Sequence, residues 1–342
     1  HHYKHRRKPN RSISGDIGIY IFLALCSAIM FFPLFFSLCQ ALKPLDELFK
    51  VPPTIFAQHP TLDNFADLFV TMSKSWVPFS RYIFNTVFLT VVGTAGHLII
   101  ASMGAFVAAT TGIGNISIES IMTMSALFGV LGSYWTQSAV LGLLIGLAMG
   151  IAMACLVALF SMKLGASPVL VGVALNTFSN SLAIFILYLF TGSKGSSATL
   201  PTPGFGSWDI PIIKDIPILG TILSGHYVLT YVSWIAAIVL YILIFKTPLG
   251  MRMRACGLNA DAAKSAGINV NALRLLSLIL SGLFAAFGGV FLSLNYVTIF
   301  SSGMVSGQGW MGIAANGIAS GNYLFLMLGC LIFGVFRAVS IV

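Results

Sequence analysis

Apolar runs of spanning length alternate with short polar segments along almost the whole chain, at about 17–40, 82–110, 119–137, 138–162, 167–191, 227–246, 273–296 and 321–342. Each is close to the roughly twenty residues that cross a bilayer core about 30 Å thick as a helix. The pattern therefore predicts an all-α polytopic membrane protein of about eight transmembrane helices, with no soluble domain between them. The stretch Thr298–Ser320 is apolar but spaced by Gly303, Gly307, Gly309, Gly312 and Gly317, so it is expected to break or re-enter. Non-helical backbone at membrane depth is tolerated only against protein or a water-filled cavity, which makes this stretch a candidate lining for a solute path.

Within the runs, small residues recur at helical spacing. Gly142, Gly146, Gly150 and Ala154 repeat every four residues, and Ser281, Ala285 and Gly289 form a similar ridge. Lipid gives helices little hydrophobic reason to associate, so small residues that let backbones approach are the expected packing seams. Glycine is also simply common in membrane helices. Charge inside the runs is scarce, and the exceptions to a purely apolar or amide lining are His97 and Glu119.

Composition agrees with the pattern: 57% of the 342 residues are hydrophobic and 8% charged, against about a quarter charged in soluble chains. The net charge of +9 is not gathered on an amphipathic face, so nucleic acid is not an expected partner. Basic residues sit between runs instead. With the amino terminus in the cytoplasm, twelve Lys and Arg fall inside (among them Lys246, Arg252, Arg254, Lys264, Arg274 and Arg337) and six outside, as the positive-inside rule requires. That count places 297–320 on the outer side. The five cysteines form no CxxC pair, and no metal site is expected.

No G-x-x-x-x-G-K-[ST] loop occurs, so any ATP and Mg2+ must be handled by a partner. No run holds the set of paired charges expected of an ion-coupled relay. The longest basic loop, Lys246–Val270, contains Asn259, a good N-cap for a helix of about 260–266, with Asp261 at its positive end and Gly267 as a stop. Such a rigid, small-faced helix suits docking to another protein, although an ordinary loop helix would read the same. Asn176 and Asn180 share a helix face, while Asn295 and Tyr296 stand at the outer end of the seventh run and Gln308 and Trp310 in the glycine-rich stretch. These six could bind a sugar or base, but amides also tie helices together and Trp and Tyr also favour the membrane interface.

From about Gly112 onward the chain resembles the nucleoside and simple-sugar branch of ABC importer permeases. The resemblance rests on Asn115–Glu119, Val171–Asn176, Gly250–Asn259 with Ala262, Ala263 and Ala266–Val270, Ser281–Gly289, and Gly307–Ala315. It implies that the basic loop couples to an ATPase through Arg254, Gly257, Asn259, Ala262, Ala263 and Gly267. It also implies a substrate path near the six residues above, with alternating access as the mechanism. The implied partners are cytoplasmic ATPase subunits, a second permease subunit, an extracytoplasmic substrate-binding lipoprotein, membrane lipid, and a nucleoside or sugar as solute. No cofactor is expected on this chain, and the expected location is the bacterial plasma membrane. From Asp16 to Ala109 the residues Phe32-Pro33, Leu42–Phe49, Pro52–Phe56, His59–Asp67 and Phe79–Thr86 are similar to the first spans of a maltose-type carbohydrate permease. The chain is thus expected to divide into segments 1–110 and 111–342.

Overall fold

A computed structural model describes residues 13–48, 54–73, 96–206 and 227–341. They fall into two compact units, His1–Phe84 and Asn85–Val342. The amino-terminal basic cluster and the 79–86 motif lie outside the described residues.

The first unit contains α1 (Ile13–Ala41), α2 (Leu45–Leu48) and α3 (Asp63–Ser73). After α1 the chain folds on itself. Buried Glu47 accepts the backbone N–H groups of Gln58 and His59 at 3.0 and 3.1 Å, while Asn64 donates to the carbonyls of Ala41 and Lys43 at 3.0 and 2.6 Å. Polar side chains here replace the backbone partners that a turn lacks.

The second unit is a helical bundle. Its elements are α4 (Gly96–Thr110), α5 (Ile118–Thr136), α6 (Ala139–Ala158, continued by a π-turn Leu159–Lys163), α7 (Pro168–Thr191) and α8 (Val228–Lys246). The basic loop follows as α9 (Pro248–Leu258) and α10 (Ala260–Ser265). Then come α11 (Val270–Val290, ending in a π-turn Phe291–Tyr296), α12 (Gln308–Ala319) and α13 (Tyr323–Ile341). Every apolar run of the sequence contains a helix. Five described helices are long and apolar enough to cross a membrane, and α4 and α13 are shorter apolar helices.

At the centre lies α5, buried along nearly all its length between α6, α7 and α11. Because it faces protein and not lipid, it can carry hydroxyls: Thr123 donates to the Glu119 carbonyl at 2.9 Å and Ser125 to that of Ile121 at 2.6 Å. The glycine ridge of α6 is the seam against both neighbours. A Cβ on Gly142 would stand 2.7 Å from the Gly129 carbonyl, one on Gly146 2.4 Å from Val290, and one on Gly150 2.1 Å from the Ala286 Cβ. Ridges meet here at backbone distance, where any larger residue would force the helices apart. The second ridge also packs, with the Ser281 carbonyl 2.9 Å from the Cβ position of Gly104 on α4 and Gly289 against Met122 of α5.

Two breaks shape the bundle. Residues 111–117 leave α4 through a turn at Thr111 and Gly112 and run along α11 without regular structure: the hydroxyls of Thr111 and Ser277 lie 2.7 Å apart, and Asn115 donates to the Ser281 hydroxyl at 2.9 Å. The segment delivers α5 well inside the bundle. The second break is 297–307, turns that lead into the twelve-residue α12. At a rise of about 1.5 Å per residue, α12 spans only about half of a bilayer core.

The sidedness read from the charges needs one correction. α12 runs beside α4 from Gly312, which backs onto Ala101 and Ser102, to Ala319, which shares a cluster with Phe106 and Val107. Its end therefore lies on the side of the basic loop. α13 then returns: Tyr323 packs edge-on to Phe106 at 5.6 Å, and the Cys330 thiol lies 3.0 Å from the Ser102 hydroxyl. The segment 297–320 thus crosses the bundle and does not stay on the outer side, and Arg337 lies away from the basic loop. A twelve-residue helix is too short to register as a span in the hydrophobic pattern, which is why the sequence misplaces it.

Candidate functional site

The two breaks converge. Glu119, in the first turn of α5, is 7% exposed and accepts the backbone N–H groups of Gly307 and Gly309, both at 2.8 Å. Those groups belong to the open amino-terminal turn of α12, whose N-cap, Gly307, has φ +78° and no side chain to offer. The carboxylate does for α12 what an N-cap side chain does for an ordinary helix, and it does so from a different helix. Only glycine fits at 309, since a Cβ there would lie 2.6 Å from the Glu119 backbone nitrogen.

A cavity of about 400 Å3 opens beside this contact, lined among others by Glu119, Thr123, Asn180, Ser302, Ser306 and Gly307. Its walls combine a carboxylate, an amide and three hydroxyls with Ala183, Ile184 and Phe300. The volume falls within the range of about 300–1,000 Å3 usual for small-molecule sites, and the mixture of apolar wall with a few polar groups is that of a solute site.

Of the amides singled out in the sequence, only Asn180 lines this cavity. Asn176 is a strut: it accepts the Ser120 N–H at 2.9 Å and donates to the Ile116 carbonyl at 3.1 Å, fixing the start of α5. Among the described residues, Asn295, 1% exposed, has no hydrogen-bond partner for either amide atom, and the buried Gln308 side-chain carbonyl likewise has none. Tyr296 is the last residue of the π-turn, and Trp310, 43% exposed, lies on the outer surface of α12. Glu119, Thr123, Ser302 and Ser306 carry the site without having been assigned to it. The one signal was a carboxylate inside an apolar run.

At the other end of α12 lies the basic loop. Asn259 caps α10 as expected, accepting the Asp261 and Ala262 N–H groups at 3.1 and 3.0 Å, and Gly267 ends it at φ +78°. Ala263 turns inward, 5% exposed against Cys256 and Val270, whereas Ala262 is exposed and Leu258 is 89% exposed. The face free for a partner is therefore that of Leu258, Asp261 and Ala262. Gly257 sits on the α4–α5 connection, its Cβ position 2.3 Å from the Thr110 carbonyl, and the Arg254 guanidinium stacks on Phe245 at 5.0 Å. A second cavity, about 580 Å3, lies between Thr110, Arg254, Gly257 and Leu258 on one side and Asn316 and Gly321 on the other. α12 thus has the polar cavity at its beginning and the basic loop at its end.

Residues 87–342 match the family described as branched-chain amino acid transport system / permease component. The nucleoside ABC transporter permease protein NupC of Lactococcus lactis is 30% identical over 252 residues, covering 72% of this chain and 78% of NupC. The guanosine ABC transporter permease protein NupQ of Bacillus subtilis is 30% identical over 255 residues, covering 72% of this chain and 79% of NupQ. TsgC13 of Haloferax volcanii, a candidate glucose ABC transporter permease, is 27% identical over 259 residues, covering 73% of this chain and 75% of TsgC13.

Proposed function

The chain belongs to the branched-chain amino acid transport system / permease component family, and on that premise we propose that it carries nucleosides or related simple sugars through the cavity beside Glu119. It is the membrane-spanning permease subunit of an ABC importer in the bacterial plasma membrane. The observation that carries the substrate reading is the lining of that cavity: Asn180, Thr123, Ser302 and Ser306 offer neutral hydrogen-bonding groups beside Phe300. Hydroxyls of a ribose or hexose match such groups, and an apolar wall suits a flat base.

Energy enters through partners. Cytoplasmic ATPase subunits bind ATP and Mg2+ and dock on Leu258, Asp261 and Ala262, where a large apolar side chain stands out from a capped, rigid helix. A substrate-binding lipoprotein delivers solute from outside, and a second permease subunit completes the membrane path. Motion of the docking loop reaches the connection 110–112 through Gly257 and the end of α12 across the 580 Å3 cavity. α12 then passes it to the polar cavity at its other end.

The test is uptake of radiolabelled guanosine by cells expressing the chain with its ATPase and binding-protein partners. Uptake should fall to background when ATP is depleted while the ion gradient is held. Uptake that follows the gradient instead would sink the ATP coupling, and guanosine that is neither taken up nor competed by other nucleosides would sink the substrate reading.

A further inference from the structure

We propose that Glu119 is a specificity-determining residue, a built-in anion that fills an anion site on the path and so reserves the path for uncharged solutes. This deepens the reading above and rests on it. An uncapped helix N-terminus carries about half a positive charge and several free N–H groups, which makes it a natural binding place for phosphate or carboxylate. The N-terminus of α12 opens at the cavity through Gly307 and has no side-chain cap of its own. Left alone, this corner of the cavity would attract anions in a medium where charge is poorly screened.

The Glu119 carboxylate occupies it, with one oxygen on the Gly307 N–H and the other on the Gly309 N–H. Its negative charge balances the helix end, and its remaining lone pairs face a cavity lined by Asn180, Thr123, Ser302 and Ser306. A hydroxyl-bearing neutral solute can donate to such a surface. A phosphorylated or carboxylated one meets a like charge and finds its natural site already taken. A buried charge in a membrane protein is costly, so its retention here points to use and not to accident.

The assignment predicts that an external anion can replace the side chain. Purified full-length chain is melted in detergent in sodium nitrate and in sodium gluconate at equal ionic strength, as wild type, Glu119→Gln, Glu119→Ala and Glu119→Asp. Wild type and the Asp variant should differ by less than about 1 °C between the salts, whereas the Gln and Ala variants should gain about 3 °C or more in nitrate, the size expected of a ligand well above its Kd. A Gln or Ala chain that aggregates in gluconate and is monodisperse in nitrate reads the same way. Equal melting of those variants in both salts, aggregation in both, or nitrate stabilisation of the wild type would each overturn the assignment. In transport, nitrate should slow nucleoside uptake by the Gln variant and leave the wild type unchanged. Absence of nucleoside uptake by the wild type overturns the substrate reading above, and a missing nitrate effect overturns the role of Glu119.

Discussion

α6 and α12 are both glycine-rich, and they use glycine for opposite ends. On α6, Gly142, Gly146 and Gly150 face Val290, small residues and backbone of α5 and α11 along the whole contact, and the result is a seam without play. On α12, Gly309 and Gly312 touch the backbone of α5 and α4, but each end of the helix opens on a cavity. The first helix has nowhere to go, while the second, packed on α4, α5 and α13 along its length, has a carboxylate from another helix as its cap and room at both ends. Close approach in a membrane bundle therefore marks rigidity only where it is continuous.

The sharpest way to break this contrast is Gly150→Leu, which drives a side chain into Ala286 and Gly282. Overpacking of this kind costs about 3 kcal/mol or more, and the expected outcome is loss of monodisperse protein on size-exclusion chromatography. Gly309→Ala is next. Its Cβ displaces Glu119, so uptake should fall about tenfold, equivalent to about 1.4 kcal/mol, while the melting temperature of the bundle drops much less than for Gly150→Leu. If the two variants destabilise equally, α12 is as fixed as α6 and the distinction fails. The mildest change to the fold is Leu258→Asp, on an exposed side chain. Melting should stay within about 0.5 kcal/mol of wild type, with loss of ATPase co-purification as the only large effect.

Several of these features were legible in the sequence because they depend on neighbours in the chain. Spacing of four exposes the α6 ridge, and Asn259 with Gly267 brackets α10 by local capping rules. The exposed face of the basic loop was less legible: Ala263 shares the small character of Ala262, and only packing against Cys256 and Val270 decides which of the two turns inward. Glu119 was visible as an anomaly but not as a cap, because its partners are backbone groups 188 and 190 positions away, and backbone N–H groups leave no trace in residue identity. The same holds for Asn176, whose partners near Ile116 and Ser120 lie on a different element. The course of α12 was hidden by its length, since hydropathy detects full crossings and this one is half turns and half helix.

The sheathing of α5 also sets an order of biosynthesis. A helix buried along most of its length in the finished bundle, and carrying Glu119 with Ser120, Thr123, Ser125 and Ser133, leaves the ribosome well before α11, the helix that covers one of its sides. At about 5–20 residues per second it waits on the order of ten seconds for that cover. During the interval the segment is poorly matched to the bilayer it has to enter, so the insertion machinery must shelter it until α6, α7 and α11 arrive, and a helix more than a hundred residues downstream completes the seating of a polar one.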